Sequence, residues 1–87
     1  MPFEYDKDKS RANLNKHGID FEQAQEIWHD AKATQKKTAF PKEERFIRIG
    51  SIRGKLWSAV FTYRGDNIRI ISVRRAHADE ERQYQSE

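Results

Sequence analysis

The sequence predicts an α+β domain, with two N-terminal helices packed on a twisted antiparallel β-sheet of three to four main strands and a short C-terminal helix. Three observations carry this. Phe21, Ala24, Ile27, Trp28 and Ala31 fall at helical spacing and form one apolar stripe. Three apolar-rich runs near 45–52, 56–63 and 67–75 are joined by Arg53-Gly54 and Gly65-Asp66, which suit two-residue hairpin loops because Gly supplies positive φ. With 87 residues the chain is one domain, 1–87, with one core. A chain of this size buries only about 60% of its unfolded surface, so its stability margin is thin.

The elements follow in order. Phe3 and Tyr5 can form a short edge strand. Asp6 caps a first helix that runs to His17, with Gly18 as its stop. Asp20 opens a second helix, with Gln23 at the capping-box position. Residues 32–44 are polar and lysine-rich, and read as a connection with a short strand around Thr38–Phe40. After the three main strands a helix covers about 77–85, its first turn carrying Asp79, Glu80 and Glu81, where the helix dipole favours acids.

Composition excludes several classes. There is no cysteine, so neither a disulfide framework nor a Cys-based zinc site is available. No apolar run approaches the roughly 20 residues of a membrane span, and the opening residues form no apolar signal region; a soluble cytoplasmic domain without membrane association is expected. No His pair has zinc spacing, no acidic cluster suits magnesium, and no Gly-rich phosphate loop or nucleophile motif is present. No metal or other cofactor is expected.

Charge is distributed unevenly. From Arg45 to Arg75 eight cations, seven of them arginine, stand against Asp66 alone, a net +7, whereas the rest of the chain is −4. Arginine suits planar, bidentate contact with phosphate. A basic half of this kind predicts a polyanion, most simply nucleic acid, or an acidic protein partner.

Counting through both hairpin loops assigns the sheet faces. One carries Phe46, Arg48, Trp57, Ala59, Phe61, Tyr63, Ile68, Ile70, Ser72 and Arg74, and the other Arg45, Ile47, Ile49, Leu56, Ser58, Val60, Thr62, Arg69, Ile71, Val73 and Arg75. Arg74 then lies opposite Trp57 and within reach of Glu81, while Arg45, Thr62 and Arg69 form a row. The helices can cover one face; the other is covered by the last helix, by a partner, or only in part.

Phe3-Glu-Tyr-Asp6, Asn13-Leu-Asn-Lys-His-Gly-Ile-Asp-Phe-Glu-Gln-Ala24, Glu44-Arg-Phe-Ile-Arg-Ile-Gly50, Val60-Phe-Thr-Tyr-Arg64, Arg69-Ile-Ile-Ser-Val-Arg-Arg-Ala76 and Glu81-Arg-Gln-Tyr84 together resemble the BrnT toxins of bacterial type II toxin–antitoxin systems, collinearly over nearly the whole chain. The resemblance implies a RelE-like fold and a ribonuclease that inhibits translation. It also implies neutralisation by a BrnA-like ribbon-helix-helix antitoxin, through which the complex binds its own operator DNA. His77 stands where similar sequences carry Ser, Thr or Asn, a helix N-cap position.

Metal-free RNA cleavage needs deprotonation of the 2′-OH, charge stabilisation at the phosphorane and protonation of the leaving 5′-oxygen. Arg45, Arg69 and Arg74 or Arg75 are the candidates for charge stabilisation, with Arg45 and Arg74 foremost. Glu44 is either a salt-bridge partner of Arg45 or a base, and His77, beside the arginine pair, is the nearest imidazole. His17 and His29 are the other imidazoles, but His17 sits at a helix C-terminus and His29 beside the core stripe. Lys55, Arg64, Arg69 and Arg75 are the expected RNA contacts. A non-catalytic RNA-binding module, with bases stacked on Phe46, Trp57, Phe61 and Tyr63, and a protein-interaction module with a basic face remain alternatives.

Overall fold

The computed structural model describes residues 2–39 and 42–86. Strand β1 (Phe3–Glu4) leads into helix α1 (Lys7–His17), followed by a 3₁₀ segment (Gln23–His29) and strand β2 (Thr34–Thr38). Strands β3 (Arg45–Ile52), β4 (Lys55–Arg64) and β5 (Asn67–Arg75) then precede helix α2 (Ala78–Gln85). The sheet order is β1-β5-β4-β3-β2, with β1 parallel to β5 and every other pair antiparallel.

This corrects the predicted architecture in two respects. The sheet has five strands and is mixed, because β1 joins the free edge of β5 beside its start and β2 extends the other edge. The element after Gly18 is a single 3₁₀ segment rather than a second α-helix, so two N-terminal helices do not lie on the sheet. Asp20 and Gln23 do make the reciprocal capping contacts, at 3.0 and 2.8 Å. Packing explains the tighter coil. The β-carbon that Gly50 lacks would stand 2.9 Å from Ile27 Cγ2 and 3.2 Å from the Ile27 carbonyl, so the segment lies directly on β3. The predicted strand at Thr38–Phe40 begins earlier, at Thr34, and Phe40 falls outside the described residues.

Helix α1 matches its sequence signals. Asp6 Oδ1 accepts from the Asp8 and Lys9 amides, and Gly18 closes the helix in the left-handed region at φ 79°. Asn13 joins α1 to the sheet: its Nδ2 donates to the carbonyls of Ile19 and Val73, and its Oδ1 accepts the Val73 amide. The side-chain amide thereby occupies β5 backbone groups beyond the reach of two-residue β1.

The core lies on one sheet face, where Trp57, Ala59, Phe61, Ile68, Ile70 and Val73 meet Ile19, Phe21, Ala24 and Ile27. Ile49 is buried on the opposite face, in the same row as Ser58 and Arg74. Helix α2 covers that end. Its Tyr84 hydroxyl donates to Asp30 Oδ2 at 2.7 Å, and the same oxygen accepts the Ser51 amide at 2.8 Å. Burial disfavours the Asp30 carboxylate, but these hydrogen bonds outweigh it and hold its pKa below the usual value, while raising that of Tyr84.

The register of β4 against β5 departs from simple counting. Val60 pairs with Ser72 and Phe61 with Ile70, leaving Ile71 as the extra residue of a β-bulge. Below the bulge the two faces of β5 exchange. Arg75, not Arg74, lies opposite Trp57, and Arg74 lies opposite Ser58. The face assignments of Ser72, Val73, Arg74 and Arg75 are therefore reversed. Counting failed because apolar residues at 70, 71 and 73 satisfy either face.

Candidate functional site

The sheet face away from the core is half open. From the α2 end outward, its rows are Ile49, Ser58 and Arg74, then Ile47, Val60 and Ser72, then Thr62 with Arg69. Arg45 joins the last row, for the Thr62 hydroxyl donates to the Glu44 carbonyl at 2.6 Å. Rows two residues apart stand about 7 Å from one another. Helix α2 covers only the first row. Ile47, Val60 and Ser72 remain partly exposed, framed by arginines at both ends.

At the outer end, Arg69 donates to Glu4 Oε1 at 3.1 Å, and Asn67 donates to Glu4 Oε2 at 2.9 Å. Hydrogen bonds from Asn67 and Arg69 hold the Glu4 pKa below its ordinary value. Arg45 makes a forked contact with Glu43 Oε2 at 3.1 and 3.2 Å. Arg64, exposed and paired across the turn with Asn67, adds to the positive potential there. Glu44, expected beside Arg45, is ion-paired with Lys37, whose strand partner is Phe46, on the other side of the sheet.

At the inner end Arg74 forms a bidentate pair with Glu80, at 2.7 and 3.0 Å. The Glu80 side chain is only 4% exposed. Besides the guanidinium, its carboxylate accepts the Ser58 hydroxyl at 2.9 Å and the His77 amide at 2.8 Å. Burial alone would raise its pKa; the hydrogen bonds from Arg74, His77 and Ser58 outweigh that and lower it to about 2. The same pairing raises the pKa of Arg74. His77 is the N-cap residue of α2, with an exposed ring whose Nδ1 is 4.0 Å from Glu80 Oε1.

The structure thus divides the sequence-derived candidates. Arg45, Arg64 and Arg69 share the outer end of the open face, and Arg74 and His77 the inner end. Arg75 and Lys55 lie at the α2 end but on the core side, Arg75 with its guanidinium 5.5 Å from the Trp57 ring. The expected pairing of Arg74 with Trp57 and Glu81 is replaced by that with Glu80. In the sequence Glu80 is one of three acids in the first turn, and its place three residues after the N-cap is the signal for a capping carboxylate. The proposed aromatic platform is mostly interior: Trp57 and Phe61 are buried and Phe46 partly so, leaving Tyr63 exposed. Among the described residues no three His, Asp or Glu side chains gather as metal ligands, and no helix is long and apolar enough to cross a membrane.

An α+β domain with an arginine-framed, half-open sheet face is a small domain with a basic surface. Its family is more specific: the chain matches BrnT, the ribonuclease toxin of type II toxin–antitoxin systems, over residues 5–80, and belongs to that family. It is accordingly a ribonuclease toxin whose substrate is RNA and whose partner is an antitoxin. No curated relative matches the chain.

Proposed function

We propose that this toxin cuts RNA without a metal ion on the open sheet face, and thereby stops translation in the cytoplasm. The observation that carries the reading is the sequence of rows on that face: arginines, then the partly exposed Ile47, Val60 and Ser72, then Arg74 and His77. Phosphates meet the two cationic ends, and the apolar row between them contacts ribose or base. Arg74 stabilises the phosphorane, because Glu80 fixes its guanidinium and leaves it charged at every accessible pH. His77, exposed at the start of α2, exchanges protons with the attacking or leaving oxygen. Arg45, Arg64 and Arg69 hold the flanking backbone, and the ion pairs to Glu43 and Glu4 keep two of them aligned until a phosphate replaces the carboxylates.

The same face suits the antitoxin, a BrnA-like ribbon-helix-helix protein whose acidic residues occupy the phosphate positions while its other half binds operator DNA. Expression of the chain alone tests the proposal. Growth arrest with loss of intact cellular RNA and of protein synthesis is expected. Healthy growth with intact RNA, at confirmed soluble expression, overturns it, and RNA binding without cleavage would assign the face to a non-catalytic module.

A further inference from the structure

A second candidate site lies outside that face. The C-terminal end of α1, the 3₁₀ segment and the β3–β4 hairpin line a half-open cavity of about 200 Å³. That is smaller than the roughly 300–1,000 Å³ of pockets for drug-sized ligands and suits one planar ring system. Ile19, Ile52 and Trp57 supply apolar walls, and Gln23 and Glu26 supply one polar side. Gln23 Oε1 is occupied by the Asp20 amide, so its Nε2–H group is the part free to donate. Among the described residues Glu26 has no hydrogen-bond or ion-pair partner. Arg53 and Lys55 stand at the rim without a carboxylate partner among the described residues, and Arg75 lies over Trp57 beside them.

We infer that this cavity is a nucleobase subsite, selective for guanine, on the RNA that the toxin cleaves. The inference rests on the RNA-cleavage reading and deepens it by naming the base that is recognised. Guanine presents two adjacent N–H donors, N1–H and N2–H, beside the O6 acceptor. One Glu26 carboxylate accepts both donors, and the Gln23 amide donates to O6, while the ring lies against Trp57 and the two isoleucines. The rim cations Arg53 and Lys55 take the attached phosphate. Position supports the same substrate. Trp57 is paired with Arg75 and Ser58 with Arg74, so the cavity and the Arg74–His77 end meet at one end of the sheet on its two sides. A strand passing between the adjacent arginines reaches both.

Guanosine 5′-monophosphate, titrated into the ¹⁵N-labelled protein, tests the site without cleavage. The amides of Gly18, Gln23 and Gly54 and the Trp57 indole should shift, with binding about tenfold tighter than for the adenosine, cytidine or uridine monophosphates. Glu26→Ala, at an exposed position, should remove that preference, and Lys55→Ala should weaken all four nucleotides alike. Equal binding of the four overturns the inference, as do shifts confined to Ile47 and Val60. So does movement of these resonances with N-acetyl-tryptophanamide but not with the nucleotide, which would assign the cavity to an aromatic side chain of a protein partner. Guanine binding in a protein that fails to cut RNA would leave this site standing and remove only the cleavage reading.

Discussion

Glu80→Gln isolates the charge that holds Arg74. The substitution keeps the shape of the side chain and one oxygen for Ser58 or the His77 amide, but leaves the guanidinium without its anion. The magnitude follows from the pKa. A carboxyl that titrates at 4.5 in an unfolded chain and at about 2 in the folded protein contributes about 3 kcal/mol at neutral pH. Removing one partner of a buried pair costs about 3–5 kcal/mol, a similar size. The sign is fixed by the lowered pKa: this stability is complete above the unfolded value and is lost as pH falls toward the folded one. Urea melts of both proteins at pH 7, 4 and 2.5 provide the assay. Glu80→Gln should be less stable by about 3 kcal/mol at pH 7, and the gap should shrink to about 1 kcal/mol or less by pH 2.5. A gap that stays constant across this range, or one below about 1 kcal/mol at pH 7, would refute the argument.

Other substitutions probe the frame around the site. Arg74→Ala strands the Glu80 carboxylate and should cost about 3–5 kcal/mol in a denaturant melt. Arg75→Ala loses an exposed cation–π contact with Trp57 and an exposed hydrogen bond to the Leu56 carbonyl, together about 1 kcal/mol; the reverse ranking would contradict the bulged register. Asn13→Ala leaves both Val73 backbone groups and the Ile19 carbonyl without a side-chain partner and should destabilise by about 3 kcal/mol. Hydrogen exchange at the Val73 amide should then accelerate beyond the global change. Gly50→Ala forces a β-carbon against Ile27, which should cost about 1–3 kcal/mol in the same melts, and an unchanged midpoint would show that the 3₁₀ segment moves aside freely.

Local signals made much of the frame legible in the sequence. Asp6 and Gly18 bound α1 because a capping carboxylate and a left-handed glycine act on neighbouring backbone groups alone. Arg53-Gly54 and its hairpin were legible for the same reason: Ile52 pairs with Lys55 across those two residues. What failed depends on distant partners. The 3₁₀ segment is set by contact between Ile27 and Gly50, and β1 finds its place only against β5, more than sixty residues away. The bulge at Ile71 was hidden because apolar residues lie on both sides of β5. In the candidate site, the row of Arg45, Thr62 and Arg69 lies above the bulge and was countable, whereas Arg74 and Arg75 lie below it and were exchanged. Glu80 stood among three consecutive acids, and only the fold distinguishes the buried one from its neighbours.

The most direct measurement of the central claim is single-turnover RNA cleavage in excess chelator, comparing the unaltered toxin with the double variant Arg45→Ala, Arg69→Ala. The unaltered protein should cut RNA in chelator at its full rate. The variant loses two partly exposed ion pairs, so its stability should fall by no more than about 1–2 kcal/mol, while its cleavage rate should fall about 100-fold or more. Cleavage that stops in chelator would contradict the metal-free chemistry, and a folded variant that cuts at the original rate would place the reaction away from the open sheet face.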